Sequence, residues 1–197
     1  MRTSIGLRAA ALVVGLLAVS CLTKPQQSSI VISAVSMPKF TAATATDPAL
    51  CACSSSGGES DFLTAGTSGL APCVLVENRM PNNANPPVRV NTNDFQVEEL
   101  HLTYENAGGP PAALPAGEIV VGANGLVPAA GKVSFPAVLV PQYIGATLPL
   151  RSAIRVRAYF TGRLLDHSKI KSSEYEYIVI GCGGAPCSTN CTNAPAN

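Results

Sequence analysis

Between Ile154 and Thr161 the chain alternates without a break. Ile154, Val156, Ala158 and Phe160 are apolar, while Arg155, Arg157, Tyr159 and Thr161 carry polar groups. A period of two marks a strand with one buried face and one wet face. The run Glu174-Tyr175-Glu176-Tyr177-Ile178-Val179 fits back against it as the second arm of a hairpin. With Asp166-His167 as a two-residue turn, Ile154 faces Val179, Val156 faces Tyr177 and Ala158 faces Tyr175, and on the opposite face Arg157 meets Glu176. One register satisfies both faces, and a slip by one residue satisfies neither. The weak points are Gly162, which invites a bulge, and His167, a poorer choice than glycine where a turn asks for a positive φ.

Upstream, Phe95 and Val97 share one parity, and Leu100, Leu102 and Tyr104 share the other. An extra residue at Glu98-Glu99 would bring both sets to one face, so the spacing predicts a β-bulge there. Further short apolar runs are Ile30–Val35, Cys73–Glu77, one beginning at Val88–Val90, Ile119–Val121, and Val133–Val140, where Pro136 predicts an edge or bulged strand. Pro81–Pro87 reads as a loop, and 38–69 is a stretch of Ala, Thr, Ser and Gly with the composition of a linker. The pattern predicts an all-β fold, a disulfide-stabilised antiparallel β-sandwich of about seven or eight strands. Residues 71–182 form the sandwich domain, 30–70 a strand plus an Ala/Ser/Thr/Gly-rich segment, and 183–197 a cysteine-containing tail. The layout resembles immunoglobulin-like and fibronectin-like domains. The chain has no Trp for the Cys…Trp…Cys core of true immunoglobulin domains, so the resemblance is architectural and implies no function.

Composition narrows the classes. Of 197 residues, 47% are hydrophobic and only 13% charged, with a formal net charge of +1. A coiled coil needs many more charged helix formers, and a charge-driven disordered chain needs far less apolar content. No cluster of Lys and Arg exists, so nucleic acid is not an expected partner.

The N-terminus reads as an address. Arg2 and Arg8 precede the uncharged apolar run Ala9–Val19, followed by Ser20 and Cys21. This is the layout of a signal peptide over 1–20, and the apolar run is shorter than the roughly 20 residues of a spanning helix. Leu17-Ala18-Val19-Ser20-Cys21 resembles the lipobox of bacterial lipoproteins, with Ala18 where that family most often has Leu. The resemblance implies cleavage before Cys21, acyl chains on its sulfur, and 21–29 as a tether. Leu22, rather than Asp, after the cysteine implies sorting to the outer membrane, with the domain facing the periplasm or the cell surface. The membrane is then a partner through lipid, because the mature chain carries a net charge of only −1 once Arg2 and Arg8 are gone.

With Cys21 lipidated, the seven cysteines become six: Cys51, Cys53, Cys73, Cys182, Cys187 and Cys191. Export favours disulfides. Each cluster of three is odd, so complete pairing sends at least one bond between them and places the Cys51–Cys73 segment beside the C-terminal tail. A thiolate metal site is the alternative. The cysteine spacings do not match paired zinc knuckles and no His lies nearby, so no metal and no cofactor are expected.

Catalytic motifs are not found. Gly66-Thr67-Ser68-Gly69 places its second glycine one residue too early for a nucleophile elbow, and no phosphate-binding glycine motif occurs. His101 falls in a predicted strand and His167 in a turn. Glu98/Glu99 and Glu174/Glu176 read as solvent-facing pairs rather than glycosidase carboxylates. The polar stretch Asn78–Asp94, with Asn82, Asn83, Asn85, Asn91 and Asn93, suits turns first, and calcium or sugar only second. The expected function is a non-enzymatic, lipid-anchored envelope protein, structural or binding a protein partner or a polysaccharide. The alternatives are an envelope hydrolase with a dispersed carboxylate site and a calcium-stabilised adhesion module.

Overall fold

A computed structural model describes residues 28–41, 50–53, 63–82 and 91–183; of residues 39–41 and 50–52 it describes the backbone only. The strands are β1 (Ile30–Ser36), β2 (Lys39–Thr41), β3 (Leu50–Ala52), β4 (Leu63–Ala65), β5 (Cys73–Asn78), β6 (Phe95–Gly108), β7 (Ile119–Val127), β8 (Lys132–Pro136), β9 (Leu150–Leu164), β10 (Lys169–Lys171) and β11 (Tyr175–Cys182). A single helical turn, α1 (Gln142–Gly145), interrupts them. The signal peptide, Cys21, the Val88–Val90 run, Cys187 and Cys191 lie outside the described residues.

The fold is all-β. One sheet has the order β1-β5-β8; the larger, curled sheet has the order β4-β11-β9-β6-β7 with β10 added beside β9, and β2-β3 form a small hairpin. The larger sheet is mixed rather than antiparallel, because β4 pairs in parallel with β11 through Val179↔Leu63 and Gly181↔Ala65. β4 comes from the stretch expected to be a linker. Its three residues carry almost no strand signal, and the free edge of β11 supplies the partner they need.

The core lies between the two sheets. β9 buries Ile154, Val156, Ala158 and Phe160, β6 buries Phe95, Val97, Leu100, Leu102 and Tyr104, and the small sheet answers with Ile30, Ile32, Val35, Val74, Val76 and Phe135. Phe135 and Phe160 meet across the layers at 5.4 Å between ring centroids, tilted by 57°. That geometry favours the aromatic quadrupoles.

The predicted bulge is present. Against β9, Val97 pairs with Gly162 and Glu99 with Thr161, leaving Glu98 over; the two glutamates both face water while Val97 and Leu100 both face the core. Gly162 is required here, since a Cβ would run into the backbone oxygen of Gln96.

The hairpin register is as expected from Tyr175↔Ala158 to Val179↔Ile154, with Glu176 opposite Arg157. The turn is not. Leu164 N–H donates to Ser168 O (2.9 Å) and His167 N–H to Leu164 O (2.8 Å), enclosing the three residues Leu165-Asp166-His167, with His167 at φ 70°. Three-residue turns of this kind end in the left-handed region. The register is shifted by one through β10, where Lys169 pairs with Arg163. Ser173 and Glu174 together opposite Tyr159 restore it before β11. Ser173, displaced from β9, reaches the small sheet: its N–H donates to Ile30 O (2.7 Å) and its Oγ accepts from Ile32 N–H (3.2 Å). The bulge thus joins one seam between the layers.

The opposite seam is held by Asn78, buried at the end of β5. Its Nδ2 donates to Asn93 O (2.8 Å) and Val127 O (3.1 Å), and its Oδ1 accepts from Met80 N–H (3.0 Å). Asn91 Oδ1 accepts from Asn93 N–H (3.1 Å), and Asp94 Oδ1 from Ala129 N–H (2.8 Å). The described part of the polar stretch therefore does turn and seam chemistry; Asn83 and Asn85 lie outside the described residues.

Cys53 and Cys73 form a disulfide across 20 residues. Cys182 is also disulfide-bonded, to a partner outside the residues whose side chains are described.

Candidate functional site

Strict alternation on β9 and β6 puts a row of polar side chains on the outer face of the larger sheet, and the register decides who meets whom. Glu99 lies opposite Thr161, His101 opposite Tyr159, Thr103 opposite Arg157 and Glu105 opposite Arg155. Two groupings result.

The first is an acid–base lattice. Arg155 Nε lies 2.8 Å from Glu176 and its Nη1 3.6 Å from Glu105, while Arg157 reaches Glu176 at 3.1 Å, Glu105 at 3.3 Å and Glu174 at 4.0 Å. These side chains are 38–53% exposed, so solvent screens each pair and leaves it individually weak. The hydrogen bond from Arg157 to Glu176 leads in holding the guanidinium above its ordinary pKa. Glu174 and Glu176, expected to face solvent, do so as partners of arginine.

The second centres on His101, whose side chain is only 14% exposed. Its Nε2 lies 3.1 Å from Thr161 Oγ1 and 3.4 Å from Glu99, and its Nδ1 3.3 Å from Glu118. The imidazole stacks on Tyr159 with 4.5 Å between centroids and 8° between planes, and Lys171, from the other side of β9, places Nζ 3.3 Å from the same ring centroid. The phenol is held between an imidazole and an ammonium. Tyr159 donates to Glu118 Oε1 at 2.6 Å. That bond comes first in lowering the Glu118 carboxyl and in raising the Tyr159 hydroxyl to about 12. Thr161 Oγ1 in turn donates to Glu99 (3.1 Å). Glu98 faces away from this cluster and pairs with Arg163 at 3.2 Å.

Hydroxyl, imidazole and carboxylate in line are the parts of a nucleophile–base relay. Here Thr161 Oγ1 lies 3.1 Å from both His101 Nε2 and Glu99, so the carboxylate competes with the imidazole for its proton. The Glu118 carboxyl is held low, opposite to the raised carboxyl of a general acid. The row stands on an open sheet face. A cavity of about 10 Å³ lies behind it between the sheets, lined by Leu100, Val156, Phe160 and Tyr177 among others. That is room for about one water and is apolar. No grouping of His, Cys, Asp and Glu among the described residues could hold a metal ion.

His101 and Glu99 were visible as candidates in the sequence; Glu118, Tyr159, Thr161 and Lys171 were not. Alternation alone puts Tyr159 and Thr161 on the wet face, but their meeting with His101 depends on long-range register. His167 sits in its turn, exposed and remote from the cluster. No family model, curated protein or solved structure matches the chain.

Proposed function

We propose that this chain is a non-enzymatic, lipid-anchored protein of the bacterial cell envelope that uses the outer face of its larger sheet to bind a protein partner. The observation that carries the binding reading is that this face presents convergent charged groups from neighbouring strands of one sheet. The face interleaves the carboxylates of Glu98, Glu99, Glu105, Glu118, Glu174 and Glu176 with the cations Arg155, Arg157, Arg163, Lys169 and Lys171. A partner whose surface offers both signs of charge is favoured. A polysaccharide is less well served, because both faces of the Tyr159 ring are already covered. The anchor rests on the lipobox-like peptide ending at Cys21. Intact mass of the processed chain, expected to begin at Cys21 and carry acyl groups, tests it. Charge reversal at Glu105 and Glu176 should abolish crosslinking to the envelope partner while the fold persists. Unchanged crosslinking would refute the assignment of the face.

A second reading, an envelope hydrolase with a dispersed carboxylate site, is favoured by the position of His101 between Glu99 and Glu118. Hydrolysis of an envelope polymer that disappears in both Glu99→Gln and His101→Asn would establish it and overturn the non-enzymatic reading.

A further inference from the structure

Among the described residues, strand β7 forms one edge of the larger sheet and pairs only with β6. Its outward-facing backbone groups have no partner among the described residues, apart from the Val127 carbonyl, which Asn78 occupies. The open edge therefore runs from Ile119 to Leu126. Proteins ordinarily blunt such an edge with charge, proline or a short strand. None of these protects this one: β7 is nine residues long, and from Ile119 to Gly131 no residue is charged, with the first proline at Pro128. β7 has one residue more than β6 between Gly122 and Gly125, yet its inside–outside alternation stays regular throughout. Val120 and Leu126, each 51% exposed, stand on its wet face.

The order of residues is self-complementary. In an antiparallel pairing of β7 with itself about Ala123, Val120 falls opposite Leu126 of the second copy, Gly122 opposite Asn124, and each pair occurs twice. Both exposed apolar side chains find an apolar neighbour, small residues meet at the centre, and Glu118 lies opposite Pro128 of the second copy, so like charges never meet. We infer that β7 is a homodimerisation edge, on which a second copy of this chain adds antiparallel about a twofold axis at Ala123 and continues the larger sheet across both molecules. An isologous contact of this kind closes on itself and does not propagate into a fibre. One strand pair is a small interface, which places the dimer in the weak, reversible class.

The test is sedimentation velocity of the full chain in detergent micelles over a concentration series. The native chain should show a reversible monomer–dimer equilibrium in the micromolar range. Val120→Lys/Leu126→Lys puts like charges opposite each other at both pairs and should raise the dissociation constant about tenfold or more. Val120→Lys/Leu126→Glu puts unlike charges at the same positions and should return it to within about threefold of the native value. All three chains should melt alike, since both sites are exposed. A native chain that stays monomeric at about 1 mM overturns the inference, as does equal dimerisation of the two double variants. If a variant fails to fold, the native concentration series still decides.

Discussion

Asn78 is a polar side chain only 1% accessible at the seam between the sheets. Its amide donates two hydrogen bonds to carbonyls at the ends of two different segments and accepts one, so the amide orientation is unambiguous. Asn78→Asp keeps the shape and replaces the NH₂ by a carboxylate oxygen facing the carbonyls of Asn93 and Val127. Two donated bonds are lost and a buried charge without a cation remains, which should cost about 3–5 kcal/mol at pH 7. The substituted carboxyl must then have a folded pKa raised above its unfolded value of about 3.9. The sign follows from linkage: the folded state binds the extra proton, so the penalty is full above the folded pKa and shrinks as pH falls toward about 4. The protonated acid can donate one of the two lost bonds and recover part of the stability. Urea unfolding of both chains at pH 7 and near pH 4 reads the difference directly. A penalty below about 0.5 kcal/mol at pH 7, well under the cost of an unsatisfied buried group, would refute the role assigned to this side chain. So would a penalty that does not change with pH.

Three further outcomes are expected. Replacing Cys53 and Cys73 by Ser opens a loop of 20 residues and should lower stability by about 3 kcal/mol on the chain-entropy account, read as a shift of the urea midpoint; an unchanged midpoint would mean that β4 and β5 are held by other contacts. His167→Gly should raise the melting temperature, because the position has φ 70° and a side chain there costs about 1 kcal/mol that glycine avoids; a lower melting temperature would reject the strain. Absorbance titration should show Tyr159 ionising near 12 and returning toward the ordinary 10 in Glu118→Gln. Since the folded value is the raised one, this contact contributes stability below pH 10 that is lost as pH rises through 12.

The His101 cluster and the arginine lattice bear on function in different ways. The lattice is a set of exposed pairs that can exchange partners with an incoming surface at little cost, since each pair is weak in water. The His101 cluster is more enclosed and more fully bonded. Under the proposed binding role, the Arg155/Arg157 half of the face, where the side chains are 38% exposed, is the half that a partner would meet first.

The sequence by itself determined the all-β class, the two faces of β6 and β9, the bulge at Glu98, the pairing of β9 with β11, and the edge position of the strand that ends at Pro136. Each rests on alternation along neighbouring residues or on one chemical limit, such as proline's missing N–H, and these act wherever the chain goes. Tertiary structure decided the rest. β4 exists because β11 has an open edge, not because Leu63-Thr64-Ala65 prefers to be extended. The turn takes three residues because His167 enters the left-handed region, and the surplus residue at Ser173-Glu174 then corrects the register and ties the sheets together. The cluster around His101 gathers side chains from β6, β9, β10 and the residue before β7, separated by up to 72 positions. No local pattern encodes such a meeting, because it is fixed only when every strand between them has found its register.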